Sequence, residues 1–226
     1  MLDVAIPALR ASEFQALGGT AATPWPVHPS LAEVLPGGLR RGSSMSVAGS
    51  LSLLLAVLGG PSGEGAWCAL VGMPAISAEA AVEYGVELSR LPVIVEPGPR
   101  WATMIGALLD TVDVVVARPP ARVAAGDVQR LTARARSRDA VLIAYLDTPA
   151  RSWPSADLRL DARGSVWEGA SEGSGRLASR RMTIAAEGRG KAARPRTSGL
   201  NLPASGGGLS SIDVAIPEVL PLSRTG

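Results

Sequence analysis

The sequence predicts an α/β fold: a mainly parallel central sheet flanked by helices, with antiparallel strands at its C-terminal edge. Two observations carry this. Up to about residue 150, short β-branched or apolar runs alternate with helical patterns of about ten residues, as βαβ units with a buried parallel sheet require. After Pro154 the pattern changes to period two with Gly/Ser turns, as antiparallel strands require.

The elements follow in order. Ala8–Leu17 reads as a short helix, and the Gly/Thr/Pro segment after it reads as a linker. Ser44–Ala48 is the first core strand and Ser50–Leu58 the first core helix, followed by a turn at Pro61–Gly65. Ala66–Val71 is a strand, Ser77–Tyr84 a short helix and Leu91–Val95 a strand. Arg100–Leu109 is a helix, Val112–Ala117 a strand, Gly126–Arg138 a helix and Val141–Leu146 a strand. The stretches 156–162, 164–169 and 176–190 read as separate antiparallel strands joined by Gly/Ser turns. Gly199–Leu202 is one more. The chain thus divides into an arm and linker (1–30), a core domain (31–203) and a Gly/Ser/Pro-rich tail (204–226).

A hydrophobic share of 46% against 19% charged residues places the 226-residue chain among globular proteins. Cys68 is the single cysteine, so no disulfide can form within the chain and a reducing compartment is expected. In the apolar run around Trp67 it reads as a small hydrophobe rather than a nucleophile. The longest apolar run, Leu51–Leu58, is too short to cross a bilayer, and no signal pattern opens the chain, so a cytoplasmic location is expected. His28, the only histidine, has no cysteines or acid cluster around it and reads as a linker residue, not a metal ligand.

Charge is uneven. Residues 1–117 carry five arginines against ten acids, whereas residues 118–196 carry fifteen arginines and one lysine against eight acids. Such asymmetry points to nucleic acid or to an acidic partner. The candidate surface is Arg176, Arg180, Arg181, Arg189, Lys191, Arg194 and Arg196, whose cations suit phosphate oxygens or an acidic partner face; a solvated edge is the equal alternative. With only Trp167 nearby, base stacking is not expected. Arg130, Arg134 and Arg138, four apart, form a stripe on one helix face, which reads as a solvated surface. Trp67 and Trp101 are expected in the core; Trp153 lies in a loop and is a candidate exposed anchor. The pentapeptide Asp-Val-Ala-Ile-Pro occurs at Asp3–Pro7 and again at Asp213–Pro217.

The stretch 35–60 runs glycine turn, strand, glycine, apolar helix, which is the frame of a phosphate-binding loop. Such a loop needs a second glycine and a lysine, so that backbone N–H groups and an ammonium cradle the phosphates. Here Gly49, Ser50, Leu51 and Ser52 supply neither. The only lysine, Lys191, lies far along the chain. A nucleotide-hydrolysing core also needs a carboxylate for Mg²⁺ at the end of a strand. The strand Val112–Ala117 ends instead in Ala117 and Arg118, and Ala66–Val71 leads into Gly72 and Met73 without an acid. Arg40 and Arg41 precede the first strand and are badly placed to replace the lysine. The expectation is no catalysis, no cofactor and no metal.

Three stretches in order resemble the RecA recombinase core. They are Leu35-Pro-Gly-Gly-Leu-Arg-Arg-Gly-Ser43 with its strand and Gly49, Val112–Ala117, and Ala156–Ala162 followed by Arg180–Ala186. The interval Asp147–Ala156 is too short for a recombinase DNA-binding loop. A shortened, nucleotide-dead chain of this size, with the texture of Val166–Gly169 and of Gly188–Arg196 and a Lys-poor, high-GC composition, resembles the ImuA family in its actinobacterial form. That resemblance implies a RecA-like, non-catalytic accessory protein of damage-induced translesion synthesis and mutagenesis, part of the SOS response. It would bind ImuB, an inactive Y-family polymerase relative, in a complex with an error-prone C-family DNA polymerase, with at most weak DNA contact. It also implies nucleoid association on induction. Two alternatives remain: a SulA-like division inhibitor, and a RecA-like regulator that binds nucleotide without hydrolysis.

Overall fold

The computed structural model describes residues 23–73, 76–171, 174–189 and 194–212. The expected Ala8–Leu17 helix, both Asp-Val-Ala-Ile-Pro segments and Lys191 lie outside these residues.

The first strand, Ser44–Ala48 (β1), is buried along its whole length and leads through two residues into α1, Leu51–Gly63. Cys68–Val71 (β2) follows, then α2 (Ala78–Glu83) and a two-residue strand, Val93–Ile94 (β3). Next come α3 (Trp101–Leu108), β4 (Val114–Ala117), α4 (Ala125–Ser137) and β5 (Val141–Leu146). The chain closes with β6 (Leu158–Ser171), β7 (Ser174–Gly188), β8 (Arg196–Asn201) and β9 (Ser210–Ile212).

All nine strands form one sheet in the order β3-β2-β4-β5-β1-β6-β7-β8-β9. Strands β3, β2, β4, β5, β1 and β6 are mutually parallel, and β6 to β9 are antiparallel, as the change of period at Pro154 predicts. The chain steps one way across the sheet from β1 to β2 to β3 and back the other way to β4 and β5. Right-handed crossovers then place α1 and α2 on one face and α3 and α4 on the other. The buried side chains divide accordingly. Leu53, Leu58 and Ala81 pack with Met45, Val47 and Leu70, while Trp101, Ile105 and Leu131 pack with Ala48, Val71 and Leu142.

Helix α1 is buried on nearly every side, which its uniformly apolar sequence allows. Gly59 and Gly60 bring two neighbours to its surface. A Cβ on Gly59 would lie 1.9 Å from the Tyr84 carbonyl oxygen, and one on Gly60 would lie 2.1 Å from that of Pro26. The arm and linker expected over residues 1–30 therefore end in a segment packed on the core. Arg41 fastens that segment, with its guanidinium 4.3 Å from the Trp25 ring centre and 3.1 Å from Asp113.

Three sequence expectations need correction. The turn at Pro61–Gly65 is largely the last turn of α1, which runs through Pro61 because Ser62 is buried and its hydroxyl accepts a bond from the Glu87 N–H at 2.8 Å. The strand expected over Leu91–Val95 shrinks to Val93–Ile94 at the sheet edge, since Pro92 has no N–H to donate. The stretches 156–162 and 164–169 are one strand, not two. Gly164 and Gly169, with φ of 58° and 102°, mark two register shifts inside β6 rather than turns between strands.

Candidate functional site

In a doubly wound sheet, ligands bind outside the carboxyl ends of the strands. The connection there between β1 and α1 is only Gly49 and Ser50. Gly49 has φ of 79°, and its N–H donates to the Leu146 carbonyl at 3.0 Å. A Cβ on Gly49 would stand 3.0 Å from the Ala162 carbonyl oxygen and 3.3 Å from Cγ and Cδ of Pro149. Ser50 is 3% exposed, and its Oγ accepts the Leu53 N–H at 3.2 Å. The cap is therefore supplied by the chain itself, and Pro149 and Ala162 pack closely against Gly49.

An ion pair between a buried acid and a partly exposed arginine braces this connection. Asp161 on β6 lies beside Ala48 in the sheet register and is 2% exposed. Arg159 Nε donates to both Asp161 oxygens at 2.9 and 2.8 Å, and Arg163 adds a contact at 3.3 Å. The same Arg159 reaches the carbonyl of Arg151 at 2.9 Å and that of Pro149, tying loop 147–156 to β6. Sequence reading missed this pair, because the stretch around it looked like an ordinary edge strand.

The end of β4 carries the expected Ala117 and Arg118. Arg118 donates from Nε and Nη2 to Asp147, the residue after β5, at 3.1 and 2.8 Å. The cation beyond the strand thus has an acid partner from the neighbouring strand. An open crevice of about 780 Å³ lies here, lined in part by Gly72, Glu96, Pro97, Arg118, Asp147 and Arg151. Trp101 closes its base, 6% exposed, with its indole N–H bonded to the Arg118 carbonyl at 3.1 Å. Glu96 and Asp147 bring carboxylates to a region where the sequence places none directly after β2. Among the described residues, no group of three or more His, Cys, Asp and Glu side chains stands close enough to hold a metal. Trp153 is not an exposed anchor: it is 6% exposed, edge-on to Trp101 with ring centres 6.3 Å apart, and bonds Ser44 Oγ at 3.1 Å.

Arg40 and Arg41 stand at the opposite end of β1 from Gly49, about 17 Å away for a five-residue strand. Arg40 is bound to Asp157 at 3.2 Å and Arg41 to Asp113. His28 caps the short turn Pro29–Leu31 by accepting the Ser30 N–H at 3.2 Å.

The candidate cationic surface is split between the two ends of the sheet. Arg180 lies 5.7 Å from the Trp167 ring centre and Arg181 pairs with Glu168 at 2.6 Å; as neighbours on β7 they face opposite ways. Arg176 belongs to the same hairpin strand. Arg189, Arg194 and Arg196 lie beyond the far end of β7 and at the start of β8. The stripe on α4 is paired with acids: Arg134 and Arg138 both engage Asp110, and Arg130 engages Asp127 at 2.9 Å. Arg134, then Arg138, hold the Asp110 carboxyl below its usual range.

Cys68 is fully buried in β2, and burial, with the Asp113 charge behind it, pushes its thiol up to about 12. Among the described residues, no helix is long and apolar enough to cross a membrane.

A family model described as the MT3502 N-terminal domain matches residues 33–155, the span from the 34–40 segment through β5 and the bracing loop. The chain is also 34% identical over 134 residues to the uncharacterized protein Rv3395c of Mycobacterium tuberculosis. That match spans 59% of this chain and 64% of the relative, less than two thirds of the relative's length.

Proposed function

The chain belongs to the MT3502 N-terminal domain family, and we propose that it is a non-catalytic, RecA-like adaptor of damage-induced translesion DNA synthesis. In this reading it binds the inactive polymerase relative ImuB and so joins a complex with an error-prone C-family DNA polymerase. The observation that carries the non-catalytic part is the closed connection at Gly49–Ser50, braced by Pro149 and by the Arg159–Asp161 pair. A site that transfers phosphoryl groups works by positioning phosphates and neutralising their charge. Here the N-terminal N–H groups of α1 meet a serine cap instead of an open loop, and the strand-end cation Arg118 is committed to Asp147.

The sheet order supports the RecA-like part of the reading. β1 lies between β5 and β6, the glycine turn and helix follow it at the carboxyl end, and the antiparallel strands extend beyond β6 on one side only. A relative in a mycobacterium agrees with the actinobacterial form of the ImuA family. With its phosphate site closed, the fold serves as a rigid platform for protein contacts.

Co-expression with the ImuB of the same genome tests the proposal, with and without residues 213–226. A stable 1:1 complex on size exclusion is the expected result. If two folded proteins run apart at micromolar concentration, the adaptor role fails and an arrest-of-division assay becomes the next experiment.

A further inference from the structure

β9 covers only half of the outer edge of β8. It pairs with Gly199, Leu200 and Asn201, in the register Ile212↔Gly199, Ser211↔Leu200 and Ser210↔Asn201. β8 itself begins earlier, at Arg196. Among the described residues, no strand pairs with the outer edge of Arg196, Thr197 and Ser198. An edge of this kind offers backbone N–H and C=O groups to a strand that reaches it. Carried on in the same register, Asp213, Val214 and Ala215 come opposite Ser198, Thr197 and Arg196. Pro217 ends that run, since it has no N–H for a ladder, and Pro195 bounds β8 close to the same level.

The same run occurs twice in the chain. Ile212 opens the unit Ile-Asp-Val-Ala-Ile-Pro, and residues 2–7 read Leu-Asp-Val-Ala-Ile-Pro, identical but for one aliphatic exchange. The first residue of the C-terminal unit already lies in β9. The N-terminal unit is within reach. Pro24 and Arg196 line one groove of about 670 Å³, and residues 8–23, between Pro7 and Pro24, can span as much as about 55 Å.

We infer that the outer edge of β8 is a docking site for this strand, filled by the C-terminal copy, Asp213–Ile216, and open to the N-terminal copy when that one is withdrawn. Backbone hydrogen bonds supply the affinity, and alternate side chains supply the selectivity, as in other strand additions. Val214 or Val4 stands opposite the exposed Thr197, and Ile212 or Leu2 stands opposite Gly199, which has no side chain to cross it. The C-terminal copy prevails because it follows β9 without a linker, so its effective concentration at the edge is the higher. A partner that draws the C-terminal segment away therefore leaves the edge filled rather than bare. The inference does not depend on the mutagenesis role.

Disulfide trapping in the full chain tests it. Directly opposed residues of an antiparallel pair have Cβ atoms about 5 Å apart, close enough for a disulfide to be caught on oxidation. Asn201→Cys/Ser210→Cys, within the described pairing, is the positive control, and the native Cys68 is buried out of reach. Thr197→Cys/Val214→Cys is expected to close within one chain at a yield near the control's, read by intact mass and non-reducing gel. Thr197→Cys/Val4→Cys should close little beside the unaltered tail, and about fivefold more when residues 213–216 are replaced by Gly-Ser-Gly-Ser. Failure of the 197–214 pair while the control closes overturns the inference and leaves the edge to a strand from another protein. Equal trapping of Thr197→Cys/Ala215→Cys also overturns it: that pair is one residue out of register and on opposite faces, and it reports collision rather than pairing. A 197–4 yield that ignores the replacement overturns the shared edge. Disulfides between positions 197 and 4 found only between chains overturn exchange within one molecule.

Discussion

Pro149 is packed against Gly49: a Cβ on the glycine would lie 3.3 Å from both Cγ and Cδ of the proline. The contact sits in the connection between β1 and α1, and Arg159 holds the proline's carbonyl. In the proposed reading, closure of this connection therefore rests on packing and not only on the absence of a lysine.

Closure predicts that MgATP leaves the melting temperature unchanged. A ligand at about a hundred times its Kd would add about 2.7 kcal/mol to the folded state. For a chain of this size that is a rise of roughly 5 to 10 °C. Differential scanning fluorimetry with millimolar MgATP and MgADP reads this directly. A saturable rise with either nucleotide would show that the connection opens, and would favour the regulator that binds without hydrolysing.

The Arg159–Asp161 pair predicts a non-additive pattern. Removing one partner of a buried pair leaves an uncompensated charge, at a cost of about 3 kcal/mol or more. Arg159→Met strands Asp161, for which Arg163 at 3.3 Å is partial compensation. The double variant Arg159→Met/Asp161→Leu removes both charges and should be more stable than Arg159→Met alone. Urea unfolding of the single and double variants makes the comparison. If the double variant is the less stable by the sum of the two single effects, the pair does not act as a unit.

These relationships also mark how far the sequence can be read. β1 and β5 begin and end where the apolar runs of Ser44–Ala48 and Val141–Leu146 do, because each run is bounded by Gly, Asp or other turn-forming residues. The absence of a lysine from residues 49–52 is equally plain, being a local fact. The closure is not local. Asp161 reaches Ala48 only because β6 pairs with β1, and Asp147 meets Arg118 only because β5 lies beside β4. Gly164 and Gly169 misled for a related reason: a glycine in a bulge and one in a turn have the same sequence, and the long pairing of β6 with β7 decides between them. Pro61 lies within the helix beside the buried Ser62, whose hydroxyl accepts the Glu87 N–H, a contact between distant residues that no local pattern reveals.

Asp110 gives a prediction about acid. Arg134 and then Arg138 lower its pKa, so the carboxylate is favoured in the folded chain. The stability this brings is fully present above the ordinary aspartate range, about pH 4, and is lost as pH falls through the lower folded value. Because both arginines are substantially exposed, the effect is small, under about 1 kcal/mol for Asp110→Asn at neutral pH. Urea midpoints of the wild-type and Asp110→Asn chains should converge as the pH is lowered. A gap that widens in acid would contradict the assignment.

Cys68 gives the sharpest contrast between folded and unfolded chain. Its thiol is fully buried in β2 and its pKa stands at about 12, so at pH 8 almost none is thiolate and none faces solvent. Alkylation requires the thiolate. Iodoacetamide should therefore label the native chain only through global or sub-global opening, over hours, whereas the urea-unfolded chain should react within minutes. Intact-mass spectrometry of timed samples separates the two cases. Rapid labelling of the native protein at pH 8 would mean that β2 is reached by local opening at the β3 edge of the sheet.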